Sequence, residues 1–310
     1  GGVNWIQMNH PVGTKPLIAV HIVDSNVIYI VGYFRTIIKT TTGGNSWVVI
    51  QNGPGGQGNS YNGLYFINKD TGWVSGALAY IYKTTNGGTS WTDLSNGLVI
   101  SQLYRIGVSQ TNVNTVLTGL QDNGSKLYNT GFWSDVKGGD GMECIVDHTN
   151  SNYMYATYVR GQISRSSNGG ASFPTDISAL IPGGQPIGAW VTPYVIDRNS
   201  STNLFAGFDR IWKTTNRGDS WSSASQVLSS SDKLRSLAIA PSNSNVLYTA
   251  DRTNMWQTTN GGSTNWTAIT IPTTSLYITY IAIKEDDPNT VWITYGGYSD
   301  GIKVYESTNG

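Results

Sequence analysis

Few side chains in this sequence are equipped for chemistry, and most of them sit in polar, glycine-bearing segments. Six of the nine arginines, Arg35, Arg105, Arg160, Arg210, Arg235 and Arg252, lie in such segments, several beside an aromatic or a carboxylate: Tyr33-Phe34-Arg35, Tyr104-Arg105, Phe208-Asp209-Arg210, Asp251-Arg252. A guanidinium is a planar fork matched to carboxylates, phosphates and acidic sugars. With Tyr61, Tyr104 and Trp190, these arginines are the candidate ligand-binding residues. The competing reading is that Asp209, Asp232 and Asp251 pair with neighbouring arginines and only tie segments together. Two further carboxylates stand among glycines: Asp122 in Gln121-Asp122-Asn123-Gly124, and Asp140 in Gly138-Gly139-Asp140-Gly141. Asp-Asn-Gly is a standard hairpin turn, and glycines around Asp140 suit a tight bend.

Other chemistries lack their parts. His10, His21 and His148 have no Cys or His at ligand spacing, so neither a metal nor a cofactor is expected. His21 alternates within an apolar run and reads as a core or channel residue. Cys144 is alone, which excludes an internal disulfide, and it opens an apolar run as a small buried side chain. Neither glycine-rich stretch precedes a helix that could cradle phosphate. Nineteen basic and nineteen acidic residues give zero net charge, which offers no electrostatic reason for nucleic acid or an anionic membrane as partner. No apolar run approaches the ~20 residues of a membrane helix. Asn123, Asn199 and Asn265 open glycosylation sequons.

The elements that must position these residues are written in a repeat. KTTTGGNSW ends at Trp47, KTTNGGTSW at Trp91, RSSNGGASF at Phe173, KTTNRGDSW at Trp221 and QTTNGGSTNW at Trp266, with a degenerate LYNTGFW ending at Trp133. The seventh copy is split, since the chain ends Glu306-Ser307-Thr308-Asn309-Gly310 and begins Gly1-Gly2-Val3-Asn4-Trp5. The aromatics at 5, 47, 91, 133, 173, 221 and 266 recur every 40 to 48 residues. A period of this size marks one repeated supersecondary unit.

Within each unit the order is the same. In the second, 64–67 is a short apolar strand, 68–72 a turn, 73–76 a second strand, 80–83 a third, and Trp91 opens a fourth. The first two strands recur at 19–23 with 27–31, 106–108 with 116–119, 144–146 with 154–157, 194–196 with 204–207, 237–240 with 246–249, and 281–283 with 291–294. Asp24, Asp70, Asp147, Asp197 and Asp287 lie in the intervening turns, where they can accept from their own backbone. Runs of β-branched and aromatic residues between Gly, Asn and Asp form antiparallel hairpins. Thirty-seven glycines and no helical periodicity complete the pattern. The expected fold is an all-β, seven-bladed β-propeller of four-stranded antiparallel blades, a single domain over 1–310 in which residues 1–10 supply the fourth strand of the C-terminal blade.

The repeated turns resemble the Asp-box, or bacterial neuraminidase repeat, Ser/Thr-x-Asp-x-Gly-x-x-Trp. Thr84, Asn86, Gly88 and Trp91 match it, as do Thr214, Asn216, Gly218 and Trp221, with Asn standing where the family has Asp. The resemblance implies that these turns join third and fourth strands away from any active site, with the Trp in the blade interior, and that they report architecture. It also puts the second-to-third-strand turns and the blade connections on the opposite face, around the channel, where the six arginines fall.

The Gly119–Gly124 segment with 138–141 is similar to one shared by sortilin-type receptor propellers and xyloglucanase-like proteins. That similarity implies that Asp122 and Asp140 face the same way, which makes them the only candidate catalytic pair. The pattern Phe66, Gly72-Trp73, Thr84 to Gly88 also resembles photosystem assembly-factor propellers, which are scaffolds without catalysis. The primary expectation is a non-catalytic, secreted or cell-surface propeller that binds a peptide or glycan on the channel face, as a monomeric domain excised from a larger protein. A glycoside hydrolase, xyloglucanase-like or sialidase-like, is the alternative, although only Glu143, Glu285 and Glu306 are available to it and Tyr33-Phe34-Arg35-Thr36-Ile37 lacks the Arg-Ile-Pro signature of sialidases. A purely structural module is the third reading.

Overall fold

The computed structural model describes residues 4–51, 53, 59–77, 80–96, 102–263, 265–298 and 303–310. Twenty-eight strands form seven four-stranded antiparallel sheets. Blade 1 is typical: Leu17–Ile22, Ile28–Gly32, Thr36–Thr40 and Val48–Gln51 pair in sequence order from the channel outwards. Blades 2 to 6 begin with inner strands Tyr61–Phe66, Gln102–Val108, Cys144–Val146, Tyr194–Asp197 and Ser236–Ala240. The seventh blade takes Ile278–Ile283, Val291–Tyr295 and Val304–Ser307 from the C-terminal end and Ile6–Gln7 from the N-terminal end. Ile6 faces Glu306 and Gln7 faces Tyr305, so the expected strand exchange closes the ring. The 3-10 turns Val159–Gly161 and Ser178–Leu180 are the helical elements among the described residues.

The core lies between blades. Each of the seven apolar clusters joins one blade to the next, for example Ile28, Ile30 and Ile38 against Trp292 and Val304 across the closure. The second strands are sandwiched on both faces, and every residue of Ile28–Gly32, Gly72–Gly76 and Val291–Tyr295 is buried.

This placement corrects the expectation for the repeated tryptophans: they wedge between blades and do not fill one blade's interior. Trp221 donates Nε1–H to the Ile177 carbonyl at 2.8 Å and Trp266 to Ala224 at 2.7 Å. Trp133 reaches Leu94 and Trp5 reaches Thr270, both at 2.8 Å. Each acceptor directly follows the outermost strand of the preceding blade. A large aromatic brings apolar area to the seam, and in these four its single polar atom finds a partner there, whereas the Nε1 atoms of Trp47 and Trp91 are buried without one.

The turns themselves are self-contained. Thr84 Oγ1 accepts from the Asn86 and Gly88 amides, and Asn86 Oδ1 accepts from the Ser90 amide at 2.9 Å. The Asn86 amide nitrogen donates to Ser90 Oγ at 2.8 Å, a bond that a carboxylate could not make. The same set recurs at Thr214, Asn216 and Ser220 and at Ser166, Asn168 and Ser172. Asn for Asp is thus matched to a serine four residues on. Of the first-to-second-strand turns, Asp24, Asp147, Asp197 and Asp287 cap their own backbone as expected. Asp70 does not, because Asn68 Oδ1 holds the Asp70 and Thr71 amides in its place.

Candidate functional site

The inner strands enclose an axial cavity of about 300 Å³. Its floor is crossed by an Arg198–Glu285 salt bridge of 3.1 Å, beside His21. His21 Nε2 lies 2.9 Å from the Phe66 carbonyl; burial, then the charge of Arg198, lower its pKa to about 3, so the ring is neutral and acts as donor. Near the upper mouth Arg105 Nε meets Glu143 at 3.2 Å, and Arg105 Nη1 also donates to the Tyr104 carbonyl at 2.9 Å. Burial pushes the Glu143 carboxyl up, and the arginine offsets this only in part. Burial, then the Glu143 charge, raises the Tyr280 phenol. The cavity is charge-paired at both ends. Cys144 is buried beside it, with its thiol pushed up by desolvation and unreactive as a nucleophile.

The other candidate arginines lie in turns and connections on the same face, in different states, and of them only Arg235 lines the cavity. Arg35 has left-handed backbone (φ 52°), its guanidinium is 4.0 Å from the Tyr80 ring centroid, and its Nε donates to Asn59 Oδ1 at 3.1 Å. Arg210 stands 5.9 Å from the Trp212 ring and only loosely by Asp209, at 3.8 Å. Arg235 and Arg252 share the two oxygens of Asp232 at 3.4 and 3.3 Å, and Arg252 is 5.2 Å from the exposed Tyr277 ring. Burial pushes the Asp232 carboxyl up, but the Lys233 amide and both arginines outweigh it and hold it low. The tie expected of Asp251 is absent: it caps its own turn at the Thr253 and Asn254 amides. Arg160 is exposed and left-handed, φ 60°. Tyr61 is 1% exposed, edge-on to Tyr82, and offers no surface to a ligand. Of the glycine-rich connection 52–61, Asn52 and 54–58 lie outside the described residues, as do Ser299 and Asp300.

Asp122 and Asp140 do meet. Asp140 Oδ1 accepts the Asp122 amide at 2.8 Å, while Gly124 N donates to Gly139 O and Gly141 N to Leu120 O. The two segments touch backbone to backbone: a Cβ on Gly119 would lie 2.0 Å from the Met142 carbonyl, and one on Gly141 2.1 Å from that of Gly124. Side chains are therefore excluded, which accounts for the glycines. Beside them Trp190 Nε1 donates to Tyr104 Oη at 3.1 Å, and Tyr104 Oη donates to Gln121 Oε1 at 2.6 Å. The sequence reading did not pair Arg105 with Glu143, Tyr104 with Gln121 or Arg252 with Tyr277, since each partner is distant in the chain.

Residues 2–103 match the sequence pattern of the family described as photosynthesis system II assembly factor YCF48. No curated protein matches the chain in sequence. Among solved structures, one described as YCF48 bound to D1 peptide is similar with a TM-score of 0.70 at 14% identity, over 99% of this chain and 97% of that one. YCF48 from Cyanidioschyzon merolae gives 0.67 at 12% identity, over 98% of each chain. The GH74 xyloglucanase from Xanthomonas campestris gives 0.73 at 15% identity, over 99% of this chain but 53% of its own length. These likenesses show the fold: the chain is a seven-bladed propeller of Asp-box type, and its first third carries the assembly-factor pattern.

Proposed function

We propose that this protein is a non-catalytic binding propeller that captures a peptide segment bearing carboxylates on the channel face. The observation that carries this reading is the set of Arg35, Arg210 and Arg252, in second-to-third-strand turns on one face, whose guanidiniums lie 4.0, 5.9 and 5.2 Å from aromatic rings. An arginine resting on an aromatic surface is pre-organised for a planar anion, and the polar contacts of Arg35 and Arg252 named above run through Nε. Likeness to a propeller whose structure holds a peptide supports a peptide over a glycan. The test is anisotropy of fluorescein-labelled random 12-residue peptides, pooled by acidic content, on the wild type and on the R35A/R210A/R252A triple variant. Preferential binding of acidic pools that is lost in the variant supports the reading; equal retention sinks it.

A second reading as a glycoside hydrolase draws on the meeting of Asp122 and Asp140. One carboxylate holds the other's backbone, and this ties Asp140 to a structural task. Release of reducing ends from xyloglucan that disappears with Asp122→Asn or Asp140→Asn would favour it. Neither binding nor cleavage would leave a structural module. We further propose a secreted or cell-surface setting, as a monomeric domain of a larger protein, on the strength of the Asn-, Gly- and Thr-rich surface; a full-length gene without an export signal would contradict it.

A further inference from the structure

The seam between blades 3 and 4 has a chemistry unlike the rest of the face. Trp190 is 44% exposed, yet its ring is pinned by the chain of hydrogen bonds from Nε1 to Tyr104 and on to Gln121. Its own carbonyl accepts the Arg160 amide at 3.2 Å, which fixes the backbone as well. A rigid, exposed indole at a seam has the character of a binding anchor, since it presents area without losing conformational freedom. Next to it stand Asp122 and Asp140, joined at 2.8 Å, and among the described residues neither has an ion-pair partner. The Tyr158 ring packs where a Cβ on Gly139 would fall, 2.5 Å away, and so borders the same corner. The two carboxylates act on Tyr104: burial, then Asp140 and Asp122, raise its phenol against the pull of Trp190, so it remains a neutral donor.

Two unpaired carboxylates beside an exposed, fixed indole and a phenol complement one class of group. We propose that this corner is a receptor for a cationic side chain, lysine or arginine, of the bound peptide. Its cation would sit against the Trp190 face and the carboxylates. This rests on the peptide-binding reading above and adds polarity to it: the ligand carries its basic residue over blades 3 and 4 and its acidic groups over the arginines.

The test does not need the natural ligand. The probes are Nα-acetyl-arginine methylamide and its lysine counterpart, with norleucine and glutamate analogues and cellotetraose as controls. Binding is followed at the Trp190 indole N–H in ¹⁵N-correlated spectra and assigned through Trp190→Phe. The expected result is saturable shifts with the two cations alone, weakened about five- to tenfold by the double variant D122N/D140N. Asparagine keeps an oxygen to accept the Asp122 amide and tolerates the left-handed backbone of Asp122 (φ 59°), so the variant removes charge and leaves the corner's geometry in place. Equal shifts with norleucine, shifts with cellotetraose alone, or cation binding unchanged in the variant would each overturn the proposal. Because the readout is local, its failure is separate from loss of acidic-peptide binding in the arginine variant.

Discussion

The rim turns and the channel face are built from the same kinds of residue, Gly, Asn, Ser, Thr and aromatics, yet they behave oppositely. On the rim one solution recurs: a hydroxyl accepting two amides, an Asn bound to a Ser four residues on, and an indole reaching the preceding blade. On the channel face no two blades agree. Arg105 turns inward to Glu143, Arg235 and Arg252 share a carboxylate, Arg35 lies on a tyrosine, and Trp190 is pinned beside two aspartates. Residues that repeat hold the ring. Of those that do not, some are spent on one another, as Arg105 is on Glu143, and others are left with capacity for something else.

If that division is right, the largest losses of stability follow changes at the rim. Trp221→Ala, which removes a 6%-exposed indole and its bond to the Ile177 carbonyl, should cost about 3–5 kcal/mol in urea unfolding. The half-buried Trp133, although it makes the same bond, should cost measurably less. Thr214→Val leaves the Asn216 and Gly218 amides without their acceptor and should cost about 1–3 kcal/mol by the same measurement.

Glu143 tests the boundary between the two regions through pH. Its folded pKa is raised above the ordinary 4.5, so between pH 4.5 and the folded value the native state holds the extra proton. Stability should therefore fall as pH rises through that window. Glu143→Gln should flatten this part of the profile, and Arg105→Met should extend it upward. The smallest effect is expected on the face itself: Arg35→Ala, Arg210→Ala and Arg252→Ala should each change unfolding by no more than about 0.5 kcal/mol, although together they abolish peptide capture. A large stability loss there would mean that these arginines hold blades together.

How much could be read beforehand follows the same line. The period of the aromatics and the split seventh copy at the termini announced seven blades and their closure, because a repeat that cannot bury its own faces must stack. Residue types around Arg35, Arg210 and Arg252 marked the face. Local chemistry could not choose between Asn68 and Asp70 as the cap of one turn, since both carry the needed oxygen and register decides. Nor could it place Tyr61, which lies in a strand that starts at that residue and turns it into the core.

The sequence by itself determined the unit, its count and its turns, since these depend on contacts within about ten residues. Tertiary structure alone decided that the tryptophans lock neighbouring blades, that Arg105 spends its charge on Glu143, and that Trp190 meets Tyr104 across 86 residues. Such pairings depend on how the ring curves each blade onto the next, a property of the packed seams that no single repeat contains.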